Sequence, residues 1–360
     1  MKSTRYTTIG SIIMTGLPGP SIDNEVERLI AEFRVGNFIL FRRNVENPLQ
    51  LKRLCNDLNK LCAAHKLPPP LIAIDQEGGS VARLPPPFSQ FTDARLHSGR
   101  TNPEESAKKY ALTCARELRS IGITMNLAPV LDICPTGQGC VMERRCLSDD
   151  PKVAARLGTI IISEMQNHGL AACAKHFPGL GCVTKDPHLD LPVVGKDAEA
   201  LRKEDLLPFQ AAITAQVAAI MTSHTTYTAL DRQNPATLSK TILTGMLKEQ
   251  LGYSGIVITD DLEMGAIENR QTVADAAPKA CLAGADLLLI CQEIGKVMES
   301  CETLAEAVSD RRISEAGLLA SLTRINRIRE KFCTSSANAA ACRQQSNSAN
   351  FADQNVDFSS

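Results

Sequence analysis

Ala171-Ala172-Cys173-Ala174-Lys175-His176-Phe177-Pro178-Gly179-Leu180-Gly181-Cys182-Val183-Thr184-Lys185-Asp186-Pro187-His188 is the stretch that decides the fold. A short apolar run, residues 171–174, ends in two ionisable side chains. A loop hinged by Gly179 and Gly181 comes next and delivers an acid and a histidine two residues apart. A strand that empties its charged end into a glycine-hinged loop is how many barrel enzymes build a site. Similar runs recur on both sides of it, at residues 9–14, 38–41, 71–75, 125–130, 171–176, 218–223, 256–260 and 287–290. They are mostly continuous apolar runs, as expected of parallel strands covered on both faces. Between them, residues 23–33, 48–65, 104–120, 151–167, 201–215, 240–251 and 273–283 carry helical periodicity. Pro48, Pro103 and Pro151 stand where first-turn prolines belong, and Gly252 and Gly284 where helices stop. Eight alternations predict an α/β fold, a (β/α)8 TIM-like barrel in a single domain spanning residues 1–333. Helices near 295–309 and 314–331 should finish its outer ring. Residues 334–360, rich in Ser, Ala, Asn and Gln, are expected to form a disordered tail.

The composition narrows the function. Of 360 residues, 44% are hydrophobic and 22% charged, which suits a soluble globular protein. A net charge of −1 gives no electrostatic reason to expect nucleic acid or an anionic membrane as partner. Trp is absent and aromatics are 4%, so a sugar ligand is expected to be a small unit read by hydrogen bonds rather than a long chain stacked on rings. The segment from Ile9 to Leu17 is interrupted by Gly10, Ser11, Thr15 and Gly16, and reads as a first strand rather than a signal peptide. No run approaches the roughly 18 apolar residues of a membrane helix. The 13 cysteines are odd in number and include no Cys-x-x-Cys, which reads as reduced core thiols in a cytoplasmic protein. Cys134, Cys140 and Cys146 are evenly spaced but lack paired ligands to complete a zinc set. Neither a metal nor a cofactor is expected, and nothing in the sequence sets an oligomeric state.

Barrel sites form at the C-terminal ends of the strands. Standing there are Arg42, Arg43 and Asn44, then Asp75, Asp132, Lys175 with His176, His224, and Asp260 with Asp261. One buried aspartate at a strand end is usually structural, whereas this many charged strand ends point to catalysis. Arg42 and Arg43 either reach ligand or cap nearby carbonyls. Asp261 is expected to support its neighbours, Asp132 to bond the loop after it, and His224 to border the pocket.

Four motifs carry a resemblance. They are Ile39-Leu40-Phe41-Arg42-Arg43-Asn44, Asp75-Gln76-Glu77-Gly78-Gly79-Ser80-Val81-Ala82-Arg83-Leu84, Asn126-Leu127-Ala128-Pro129-Val130-Leu131-Asp132 and Thr259-Asp260-Asp261-Leu262-Glu263-Met264. Together they resemble the β-N-acetylhexosaminidases of glycoside hydrolase family 3, the cytoplasmic enzymes of peptidoglycan recycling, from about Ile9 to Phe332. The resemblance implies Asp260 as nucleophile and His188, partnered by Asp186, as general acid/base. It implies that Asp75, Arg83, Lys175 and His176 hold the hydroxyls of the terminal sugar, with Arg145 matching an arginine of the loop after strand four. It further implies a saccharide or muropeptide substrate. The chain departs from the family pattern at Leu180, where histidine is usual, at Pro187, where serine is usual, and around Arg145, where glycines and a phenylalanine are missing.

The chemistry also stands without the family. Most retaining glycosidases use two carboxyl groups, one as nucleophile and one to protonate the leaving oxygen. A histidine, with an unperturbed pKa of about 6.5, can take the second role near neutral pH. Asp186 would orient its ring, and Pro187 restricts Asp186 to extended geometry. Taken with the resemblance, which implies the 2-acetamido sugar, the expected function is an exo-acting, retaining β-N-acetylglucosaminidase. A β-glucosidase or glycoside phosphorylase of the same family is the near alternative, since a neutral histidine repels phosphate less than a carboxylate would. A metal-dependent barrel hydrolase using His176, His188, His224 and Asp260, or an inactive sugar-binding module, are the distant ones.

Overall fold

The computed structural model describes residues 6–181, 183 and 191–333. Eight strands, mostly apolar and buried on both faces, close into a barrel: β1 (Ile13–Gly16), β2 (Asn37–Leu40), β3 (Leu71–Ile74), β4 (Met125–Asn126), β5 (Ala171–Phe177), β6 (Ala219–Thr222), β7 (Ile256–Asp261) and β8 (Leu287–Ile290). All are parallel, and each pairs with its neighbours in sequence. The ring closes where β8 returns to β1, with Ile13 opposite Leu288 and Met14 opposite Leu289. The (β/α)8 barrel expected from the sequence is the observed architecture.

The first strand starts later than its apolar run. Residues Thr7–Ser11 form a short helix, and β1 begins at Ile13. By propensity, Ile9 to Met14 reads as strand. Packing overrides it, because the helix lies against the last two helices, Ile294–Ser309 and Glu315–Phe332, with Ile9 and Ile12 buried. A Cβ on Gly10 would lie 2.1 Å from the Phe33 carbonyl oxygen, so only glycine permits that approach. Strand β4 is shorter than expected by assignment, yet its backbone bonding to β5 runs on: Cys173 N donates to Ala128 O and Lys175 N to Pro129 O.

The helices Pro48–Ala64, Pro103–Ile121 and Pro151–Asn167 start as their prolines predict. Asn47, Asn102 and Asp150 each accept a hydrogen bond from a first-turn N–H. The expected helix at 201–215 begins as a π turn, Leu201–Asp205, and Thr241–Gln250 is π throughout. The tail at 334–360 lies outside the described residues. No helix among those described is long and apolar enough to cross a membrane.

Two irregularities decide what the side chains at the barrel rim face. The register of β5 on β6 shifts between Ala174 and Phe177, and that of β7 on β8 between Ile258 and Asp261. Successive side chains of a regular strand point to opposite faces, and a bulge re-aims them. Here Lys175 and His176 both border one cavity, as do Asp260 and Asp261.

Candidate active site

That cavity, about 440 Å³, opens at the C-terminal mouth of the barrel. One wall is a chain of alternating charges in which Arg83, Asp75, Lys175 and Arg145 border the cavity and Glu77 stands behind them. Asp75 directly follows β3, and a hairpin pairing Gln76–Gly78 with Val81–Ala82 returns Arg83 to it, Nη2 to Oδ2 at 3.3 Å. The Lys175 ammonium, brought by β5, lies 2.7 Å from Asp75 Oδ1 and 2.7 Å from Glu77 Oε1. Arg145 then forks onto Glu77, its Nε and Nη2 donating at 2.9 and 2.8 Å. Burial pushes both carboxyls up, but their cations outweigh it. Lys175 and Arg83 hold Asp75 well below the usual carboxylate range, while Arg145 and Lys175 bring Glu77 to about 2. Burial likewise works against Lys175, and Asp75 and Glu77 reverse that effect and raise it. The wall therefore stays charged at neutral pH with donors and acceptors to spare. The buried Arg83 Nε has no partner among the described residues, and the ammonium has a third proton. Such groups suit the vicinal hydroxyls of a sugar.

Facing this wall, Asp260 is the last residue but one of β7. Its Oδ1 accepts from Asp261 N at 2.9 Å, and its Oδ2 lies 4.0 Å from His176 Nε2. Asp261 also borders the cavity but is engaged behind it. Its Oδ1 accepts from Glu263 N and Cys291 N at 3.1 and 3.2 Å. Burial, with the charges of Glu263 and Asp260, pushes its carboxyl up to about 7. A raised acid stabilises the fold most below its unfolded pKa, near 4, and loses that contribution as pH rises through about 7. An Asp261→Asn variant cannot ionise, so its stability relative to the parent should rise between pH 4 and pH 8. Urea midpoints at both ends of that range measure this, and an unchanged difference would count against the raised carboxyl.

Behind the wall, Asp132 accepts from His176 Nδ1 at 2.8 Å and from Leu180 N at 2.6 Å. It thus bonds the end of β5 and the loop following that strand rather than its own loop. Asp75, Arg83, Arg145, Lys175, His176 and Asp260 are brought together around the cavity. Asp186 and His188 lie outside the described residues. Arg43 caps carbonyls, donating to Leu17 O and Cys291 O, and Arg42 donates to Val45 O. His224 does not border the cavity; its Nδ1 meets Thr237 Oγ1 and its Nε2 the Asp261 carbonyl. Glu77 was not anticipated. Its i,i+2 spacing from Asp75 on an extended segment was the available signal, since such residues share a face.

Among the described residues no three His, Cys, Asp or Glu side chains converge on a point that would hold a metal ion, and every described cysteine is a free thiol. A larger groove, about 680 Å³, runs past Gln50, Arg53 and Lys60 on the outer helices. None of the charged strand-end residues borders it, so we place the chemistry in the smaller cavity.

Comparison with known proteins agrees with this geometry. Residues 7–328 match the glycosyl hydrolase family 3 N-terminal domain. The chain is 34% identical to beta-hexosaminidase A of Pseudoalteromonas piscicida, over 91% of this chain and 58% of that protein. It is 35% identical to the beta-hexosaminidase of Thiobacillus denitrificans, over 79% of each. The solved structure of a glycoside hydrolase family 3 beta-N-acetylglucosaminidase from Paenibacillus sp. strain FPU-7 superposes with a TM-score of 0.89 at 34% identity, covering 98% of this chain and 66% of that one. The chain thus spans little more than half of the first relative and about two thirds of the Paenibacillus protein. With a barrel rim of this kind and a family match over nearly the whole described chain, the protein belongs to glycosyl hydrolase family 3.

Proposed function

We propose that the chain is an exo-acting β-N-acetylhexosaminidase that removes terminal β-linked N-acetylglucosamine with retention of configuration. The observation that carries the reading is Asp260, set at the end of β7 across the cavity from the Arg83–Asp75–Lys175–Glu77–Arg145 wall. In this reading the wall and His176 grip the sugar's hydroxyls, and the Asp260 carboxylate attacks the anomeric carbon. His188, oriented by Asp186, protonates the leaving oxygen and then deprotonates the water that releases the sugar. The names of the relatives, beta-hexosaminidase and beta-N-acetylglucosaminidase, support the 2-acetamido sugar. Residues 1–333 form the catalytic domain in this reading. Peptidoglycan fragments are the proposed natural substrate and the cytoplasm the proposed location, where free thiols persist.

Hydrolysis of a chromogenic N-acetylglucosaminide tests the activity, and a β-glucoside cleaved equally well would overturn the sugar assignment. Running it with and without phosphate separates hydrolysis from phosphorolysis. A His188→Ala variant should slow substrates with poor leaving groups far more than activated aryl glycosides, because a good leaving group needs little protonation. Rates across aryl glycosides of differing leaving-group pKa measure this, and a dependence equal to that of the parent would place the proton donor elsewhere.

A further inference from the structure

Asp132 is fully buried and forms no part of the cavity wall, yet its bonds reach both the sugar side and the loop side of the site. Every partner the described residues give it is a donor. His176 N lies 3.3 Å from each carboxylate oxygen, His176 Nδ1 is 2.8 Å from Oδ2, and Leu180 N is 2.6 Å from Oδ1. The segment containing Leu180 is pressed onto the one after Asp132. A Cβ on Gly181 would lie 2.2 Å from Ile133 O, and Val141 N donates to Val183 O at 3.2 Å. Leu180 itself borders the cavity.

We propose that Asp132 is a positioning residue for the glycosidase reaction, one carboxylate that fixes both the His176 ring beside Asp260 and Leu180, the root of the segment leading to His188. The proposal rests on the assignment of Asp260 and His188 made above. With its Nδ1 proton held by Asp132, His176 turns Nε2 toward Asp260, 4.0 Å away, and toward the cavity. A carboxylate is needed because its surroundings supply only donors. The isosteric amide of asparagine has one acceptor oxygen and one NH2 group, so the NH2 must face either Leu180 N–H or His176 Nδ1–H. In the first case the loop loses its anchor. In the second, the ring must move its proton to Nε2 and present a donor where it had presented an acceptor.

The two arms give distinct signatures. Asp132→Asn should lower kcat/KM for a disaccharide by roughly 10- to 100-fold, the loss expected when a buried donor is left unpaired. Where the amide turns its NH2 to Leu180, it should also steepen the dependence of rate on leaving-group pKa, because misplacing the loop impairs protonation. His176→Ala should weaken binding without changing that dependence. In the His176→Ala background, Asp132→Ala should still reduce turnover of poor leaving groups, since it removes the oxygen that accepts from Leu180 N. No further loss in that background, or a further loss there that is equal for all leaving groups, would overturn the positioning role. His188→Ala measured alongside keeps the failures apart. If it leaves the leaving-group dependence unaltered, the acid/base assignment fails and the loop half of the proposal with it. If Asp132→Asn does not fold, the parent enzyme still provides a test. The ¹⁵N shifts of its His176 should show the proton on Nδ1, and a proton on Nε2 alone would overturn the proposal.

Discussion

Replacing Asp260 with alanine should lower kcat by roughly 10⁴–10⁶-fold, the range seen when a covalent nucleophile or its immediate partner is removed. The fold should be unaffected. Asp260 is partly exposed in the cavity, its hydrogen bond comes from the next residue's own N–H, and His176 keeps its bond to Asp132. The neighbouring acid is the obvious rival, and its surroundings differ from those of Asp260. Asp261 has one oxygen occupied by two backbone N–H groups, and its carboxyl is raised to about 7, so near neutral pH much of it is protonated and unable to attack. A 2-fluoro sugar that accumulates the glycosyl-enzyme should therefore label Asp260. Label on Asp261 or Asp75 would refute the assignment. Added azide should restore turnover to the alanine variant and give a glycosyl azide of inverted configuration, because the anion enters from the face the carboxylate has left.

Much of this arrangement is legible in the chain itself. The barrel is signalled by the alternation of short apolar runs with capped helices, a pattern repeated often enough that one misread element does not matter. The misread element is instructive. Ile9 to Met14 has the composition of a strand, yet its first half is a helix packed against the last two helices, a placement that Gly10 permits by its close approach to the Phe33–Arg34 backbone. That contact joins residues more than twenty positions apart and has no local signature. The residues proposed to bind the sugar stand out because charge at the end of an apolar run is rare enough to notice. Glu77 escapes notice because it lies beyond the run, in the hairpin after β3, although it holds both Lys175 and Arg145. Arg43 and His224 are open to two readings for the same reason in reverse. Both stand at strand ends, and only side-chain direction shows that they bond backbone and a threonine rather than border the cavity. Sequence spacing gives position along a strand, whereas bulges and loop contacts decide what a side chain faces.

Changing Lys175 to methionine is the second substitution with a large effect, and it should act on stability as well as binding. The ammonium is almost wholly buried and touches Asp75 and Glu77 at 2.7 Å each. Removing one partner of a buried ionic cluster leaves charge uncompensated and typically costs about 3–5 kcal/mol. The pH dependence should identify the cause. In the parent, Glu77 is held at about 2 and Asp75 lower still, so their contribution is present above the unfolded carboxylate pKa, near 4, and is lost only as pH falls toward 2. Between pH 5 and pH 8 it is flat. In the variant, burial, which raises both carboxyls, loses its main opponent at Asp75 and the second of two at Glu77, so one of the pair should take up a proton. A group with a raised pKa contributes fully at low pH and loses that contribution as pH rises, so the sign reverses. The difference in stability between parent and Lys175→Met should therefore widen from pH 5 to pH 8. Asp261 titrates in the same window but is common to both proteins and cancels in the difference. Thermal or urea unfolding of the two proteins at each pH measures it, and a gap that stays constant or narrows toward pH 8 would mean that Lys175 is not what keeps the two buried carboxylates charged.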